Sequence, residues 1–224
     1  MSQLHLKIAQ QVERGYHEKT GQWGDNEFLI DLIDGYTAIT FRGTETVKLK
    51  RDLVKGGVGH FLEKAKSFVA DVATDIRALP WYDRRIGWGH AGFLKAARGI
   101  VDRELSIFDM YKEPLILAGH SLGGGIAREA AQFLEAMGYC VIEVVDFGSP
   151  RSHIGETKYT PRMTSYRYGQ DYVTTVPWGF VWDYQHPYES KQGRLVQLGP
   201  GYDPDGDHTW DDHPIELYIE ALST

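Results

Sequence analysis

Along this chain the apolar residues recur in two rhythms, and the change from one to the other divides it into helices and strands. Leu4, Ile8 and Val12, with Leu6 and Ala9 between them, mark one face of an amphipathic helix over residues 4–12. Phe28-Leu29-Ile30-Asp31-Leu32-Ile33 and Tyr36-Thr37-Ala38-Ile39-Thr40-Phe41 flank Asp34-Gly35, the pattern of a β-hairpin. Residues 46–59 mix lysines with glycines and carry few apolar groups, which reads equally as a surface insertion or as a lid-like segment. Residues 61–79 suit a helix stopped by Pro80, and a second helix is expected from about Leu94 to Phe108. Four apolar residues, Leu115 to Ala118, predict a buried strand, and residues 126–137 suit a helix. Strands are expected at 141–147, 165–168 and 194–198, and a closing helix at 215–222. Strand, helix and strand in succession imply parallel pairing, so the fold class is α/β, with a mostly parallel central sheet flanked by helices.

Between the strand at 115–118 and the helix that follows stands Gly119-His120-Ser121-Leu122-Gly123. This is the G-x-S-x-G pattern of a nucleophile elbow, in which a tight turn forces the central serine into a strained backbone conformation that only small neighbours permit. Ser121 is the candidate nucleophile, and backbone N–H groups at the helix start, that of Leu122 first, can stabilise a negative oxygen. The run lacks both the lysine of a phosphate-binding P-loop and the spacing of a dinucleotide loop. Upstream, Arg42-Gly43-Thr44 leaves a strand in a way that could aim the Thr44 N–H at a substrate oxygen.

With 224 residues, the chain suits one domain spanning 1–224, with a lid-like segment within 45–89. A net charge of -7 argues against nucleic acid as a partner, and the lysines and arginines crowded at 48–66 read as a solvated face. No apolar run approaches a membrane span, and the first residues lack a signal-peptide h-region. The expected location is therefore cytoplasmic, although a mature secreted chain would look the same. The one cysteine, Cys140, has no partner for an internal disulfide and reads as a small core hydrophobe beside Val141.

A serine hydroxyl needs an imidazole to take its proton, and the imidazole needs a carboxylate to fix its tautomer. If the order is serine, acid, histidine, the base follows Ser121. His213, between Asp212 and Pro214 just before the closing helix, is preferred over His208 in its looser loop. Asp171, directly after a strand, is preferred over Asp146, which lies within one. His90 reads as a loop anchor. The acidic loop 203–207 departs from a calcium-binding template and reads as a turn, so no metal is expected. Trp178, Phe180, Trp182, Tyr184 and Tyr188 alternate as a strand would and could line an acyl pocket or fill core.

Taken together, Phe41-Arg42-Gly43-Thr44, His90-Ala91-Gly92-Phe93, Gly119-His120-Ser121-Leu122-Gly123-Gly124, Phe147-Gly148-Ser149-Pro150-Arg151, Asp171 with its following Val-Pro, and Asp212-His213 resemble the class 3 lipase family of α/β-hydrolases. The resemblance implies a Ser121, Asp171 and His213 triad, oxyanion amides from Thr44 and Leu122, and hydrolysis of acylglycerol or other carboxylic esters through an acyl-enzyme, without metal or organic cofactor. It also implies transient contact with a lipid interface and no obligate protein partner. An acyltransferase on the same triad and a catalytically silent binding module are the alternatives. The chain is short beside the secreted fungal members, and its segment between Thr44 and His90 is long and basic.

Overall fold

The computed structural model describes residues 3–24, 26–43, 79–110, 114–155, 158–159, 161–176, 184–186, 193–200 and 212–224. In chain order its elements are α1 (Gln3–Arg14), β1 (Gly21–Trp23), β2 (Asn26–Ile33), β3 (Tyr36–Phe41), β4 (Pro80–Asp83), β5 (Gly87–His90), α2 (Ala91–Phe108), β6 (Leu115–His120), α3 (Leu122–Ala136), β7 (Val141–Phe147), β8 (His153–Ile154), β9 (Arg162–Tyr168), β10 (Tyr184–Gln185), β11 (Gly193–Leu198) and α4 (Ile215–Ser223).

Seven strands form the main sheet in the order β1-β2-β3-β6-β7-β9-β11. The β1–β2 and β2–β3 pairs are antiparallel, and every pair from β3 to β11 is parallel. The hairpin between β2 and β3 turns through Asp34 (φ 51°) and Gly35 (φ 84°), the two positive-φ positions that make Asp-Gly suit a tight turn.

Alternation along each strand distributes the core between two faces. Leu115 and Leu117 of β6 join Phe28, Ile39, Phe41 and Val144 against α2 and α3, through Leu94, Ile100, Ile126, Ala130 and Phe133. Their neighbours Ile116 and Ala118 join Val145, Phe147 and Tyr166 on the opposite face against α1 and α4, through Ile8, Val12, Ile215 and Leu222. Both faces of the central strand β6 are thus covered, which explains why its sequence runs apolar from Leu115 to Ala118. Each fully buried Leu or Ile contributes about 1.5–3 kcal/mol of transfer free energy.

A second, four-stranded sheet, β10-β8-β5-β4, is antiparallel and was not foreseen. It holds the described part of the expected lid region, residues 79–89, as a hairpin in which Tyr82 pairs with Trp88. Here glycine and proline interrupt any alternation, so the hairpin left no period to read. Helix α2 begins at Ala91 rather than near Leu94, because His90 caps it: its Nδ1 accepts from the Gly92 N–H at 3.2 Å. Helix α3 begins at Leu122, running through three glycines whose low helix propensity had suggested a later start. Strand β9 begins three residues before the expected Ser165. Cys140 is exposed, in the connection that precedes β7, not in the core beside Val141. Residues 61–78 of the helix expected over 61–79, the basic run at 48–66, and the strand-like aromatics Trp178, Phe180, Trp182 and Tyr188 lie outside the described residues, whereas Tyr184 is buried in β10.

Candidate active site

Strand β6 delivers Ser121 to the carboxyl edge of the sheet with φ 57° and ψ −132°, a conformation that costs an L-residue about 1–3 kcal/mol. Its N–H donates to the Phe147 carbonyl of β7 at 3.0 Å, which holds the turn down on the sheet. The flanking glycines explain how the turn fits. A Cβ on Gly119 would collide with the Gly123 carbonyl group, and one on Gly123 with the carbonyl of Phe41 in β3. Leu122 opens α3, so its N–H belongs to the first turn, where helix geometry supplies no acceptor. On the other side, a Cβ on Gly43 would lie 2.6 Å from the His120 carbonyl and 3.1 Å from Ser121 Cβ; the chain leaving β3 therefore passes against the serine. Thr44, the next residue, lies outside the described ones.

Asp171 and His213 meet although 42 residues separate them. The acid follows β9 through a turn and caps the short 3-10 helix Tyr172–Thr175, its Oδ1 accepting from the Val173 N–H at 2.9 Å. Its Oδ2 lies 2.8 Å from His213 Nδ1 and accepts from the Tyr218 hydroxyl of α4 at 2.6 Å. Asp171 is fully buried and His213 is 2% exposed, so little water competes for these contacts. The loops that carry them are tied together by Asp212, whose Oδ2 accepts from the Gln170 N–H at 2.8 Å. Gly148 (φ 60°), directly after β7, leaves the space they occupy; a Cβ there would strike Asp171 Oδ2 and approach Tyr218 Oη to 2.8 Å and His213 Nδ1 to 3.1 Å.

The serine's predecessor completes the geometry. His120 Nε2 lies 2.7 Å from the His213 carbonyl oxygen, and the two rings stack with centroids 4.5 Å apart and planes 29° from parallel. The candidate base is thereby packed on the residue that precedes the candidate nucleophile. Burial, reinforced by the nearby His213, holds the His120 imidazole well below its ordinary pKa and keeps it neutral.

Asp146, the alternative acid, accepts from the Ser165 hydroxyl at 2.6 Å within the sheet, and burial pushes its carboxyl up to about 7. His208, the alternative base, and the acidic loop at 203–207 lie outside the described residues. His90 is a buried anchor, depressed to about 4 by burial. The sequence assigns no role to Tyr16 or Tyr218, and His120 and Gly148 stand in it only as members of quoted motifs. Tyr218 reads there as one more apolar position of α4, and Tyr16 lies in the turn after α1, remote in sequence from every motif.

The profile of the family described as Lipase (class 3) matches residues 38–180. No curated protein matches the chain. Among solved structures, lipase II from Rhizopus niveus superposes with a TM-score of 0.60 at 14% identity, over 89% of this chain and 82% of that one. A lipase from Rhizopus microsporus var. chinensis gives 0.58 at 16% identity, over 91% and 77%. The triacylglyceride lipase of Rhizomucor miehei gives 0.56 at 16%, over 87% and 79%. At such identities the likeness is one of fold, that of an α/β-hydrolase.

Proposed function

The chain belongs to the class 3 lipase family, carboxylic ester hydrolases, and from that premise we propose that Ser121 is its nucleophile, His213 the general base and Asp171 the residue that orients the base. The observation that carries this reading is the buried 2.8 Å contact between His213 Nδ1 and Asp171 Oδ2, with the His213 ring stacked on the neighbour of a positive-φ serine.

With Nδ1–H donating to the carboxylate, Nε2 is the nitrogen that accepts the proton of Ser121 Oγ as the oxygen attacks the ester carbonyl. The tetrahedral oxyanion is held by the amides of Leu122 and Thr44. Its collapse expels the alcohol, protonated by His213, and leaves an acyl group on Ser121. Water then repeats the sequence, giving up its proton to His213 and releasing the acid. The Asp171 carboxylate orients the ring and stabilises the imidazolium formed at each step. The substrate is a lipid ester, an acylglycerol or a related carboxylic ester.

Initial rates on p-nitrophenyl esters from acetate to palmitate, with and without emulsion, test the reading. Ser121→Ala is expected to fall to background, and Asp171→Asn to lose about 10⁴-fold in kcat, the order found where an amide imposes the wrong tautomer on such a histidine. Full turnover by Ser121→Ala would overturn the assignment.

A further inference from the structure

Outside the three residues above, one chain of polar contacts runs through the elbow to the base. The Tyr16 hydroxyl, in the turn after α1, faces Gly43 and lies 2.7 Å from His120 Nδ1. His120 Nε2 lies 2.7 Å from the His213 carbonyl oxygen. One end of this chain is the His213 backbone carbonyl, whose role cannot change: it only accepts. His120 therefore carries a proton on Nε2 and gives it to His213. In the neutral imidazole Nδ1 is then an acceptor, so the Tyr16 hydroxyl donates to it.

We propose that Tyr16 and His120 form a proton-ordered bridge that positions the catalytic base, locking the loop of His213 to the nucleophile elbow and to the strand end that precedes the oxyanion amide of Thr44. Both are positioning residues, acting through the backbone of His213 and through the stacked ring. The inference rests on the triad assignment above.

Three further observations fit it. His120 is fully buried and Tyr16 is 8% exposed, so water does not substitute for either bond. A methyl group at Gly43 would stand 3.0 Å from the Tyr16 hydroxyl, so glycine keeps the approach open. The bridge is also electrically neutral in its setting. The groups facing it are Arg42 beyond the end of β3, over the Tyr16 ring at 5.7 Å, Glu216 and Tyr218 of α4, and His213 with Asp171 behind it. Burial, with Glu216 and against Arg42, raises the Tyr16 hydroxyl above its ordinary pKa, and burial, reinforced by His213, lowers the His120 imidazole below its own, so neither ionises near neutral pH.

The arrangement makes the first residues of the chain part of the active site. Tyr16 lies before the span that the family profile matches, and His213 lies after it. The bridge through His120 joins the two outlying segments across the elbow.

Long-range proton–nitrogen NMR spectra of ¹⁵N-labelled protein test this directly, with the His120 signals assigned by their loss in His120→Gln. The expected result is a neutral imidazole protonated at Nε2 from about pH 5 to about pH 9, the range in which an ordinary histidine titrates. Kinetics on a soluble p-nitrophenyl ester, normalised to sites titrated with a fluorophosphonate, supply the second readout. Tyr16→Phe and His120→Leu are expected to lose about ten- to a hundredfold in kcat with KM unchanged, the cost of a displaced base. His120→Gln, which can still donate and accept, should recover part of the loss. A His120 that titrates, or that carries its proton on Nδ1, overturns the proposal. So does a Tyr16→Phe enzyme that is less stable yet has wild-type kcat per titrated site. Failure of the triad itself is read separately, as undiminished turnover in Ser121→Ala.

Discussion

Tyr218 donates its hydroxyl to Asp171 Oδ2 at 2.6 Å, the same oxygen that lies 2.8 Å from His213 Nδ1. Both protons come from groups that are rigidly placed, one by α4 and one by the loop before it. The carboxylate is thus aimed before any substrate arrives. In Tyr218→Phe one buried donor is lost while the charge it served remains. Hydrogen bonds to charged groups contribute about 1.5–3 kcal/mol, so a stability loss of that size is expected in urea unfolding. A severalfold decrease in kcat should accompany it, since among the described residues Asp171 is then held by the Val173 N–H and His213.

The elbow sets stability against activity. Ser121→Gly removes a Cβ from a backbone with φ 57° and ψ −132°, and glycine occupies that region at little steric cost. Its melting temperature should rise, by the equivalent of about 1 kcal/mol after the entropy of the added glycine is counted, while ester hydrolysis disappears. Gly123→Ala tests the opposite limit. Its methyl group would enter the carbonyl of Phe41, so the expected outcome is failure to accumulate folded protein.

The main sheet and the elbow are legible from sequence because each rests on a local signal. Apolar runs mark strands buried on both faces, Asp34-Gly35 marks its hairpin, and the glycines at 119 and 123 fit contacts that tolerate no side chain. The pairing of Asp171 with His213 is legible only as an order of residue types along the chain. What escapes has no local signature. The second sheet is built from strands of two to four residues containing glycine and proline, too short to show a period. Cys140 sits next to an apolar pair, yet it is exposed, because the strand begins one residue later. Tyr16 looks like an ordinary turn residue, Tyr218 like an apolar helix position, and His120 like the variable residue of the elbow motif. Only the fold brings their polar atoms together.

Asp146 should make stability depend on pH. Burial raises its carboxyl from an ordinary 3.8 to about 7, against the opposing effects of the Ser165 hydroxyl and Arg128. The folded state therefore binds this proton more tightly than the unfolded chain does. The resulting stabilisation is complete below about pH 4 and is lost as the pH rises through 7, by at most about 4 kcal/mol. Asp146→Asn keeps an acceptor for Ser165 without the charge. Chemical unfolding from pH 4 to pH 8 should show a shallower decline for the variant, which overtakes the wild type at the alkaline end. Parallel curves would assign the pH dependence to other groups.

Glu129 and His153 form a fully buried pair at 3.1 Å, between α3 and the second sheet. Desolvation opposes the Glu129 charge, but His153 and Arg128 outweigh it and hold the carboxyl below its ordinary value. Removing His153 leaves the buried Glu129 charge to the Gln132 amide, 3.0 Å away, and to Arg128, so His153→Ala is expected to cost up to about 3–5 kcal/mol in denaturant unfolding. Replacing both with apolar residues of similar volume, Glu129→Met with His153→Leu, should recover most of that loss.

The central claim is that Ser121 is the nucleophile, activated by His213. Intact and peptide mass spectrometry after treatment with a fluorophosphonate tests it most directly. The expected result is a single phosphonyl adduct on the peptide that carries Ser121, absent in Ser121→Ala and formed much more slowly in a His213→Ala protein that remains folded. An adduct on another residue, or labelling of Ser121→Ala at the wild-type rate, would contradict the account.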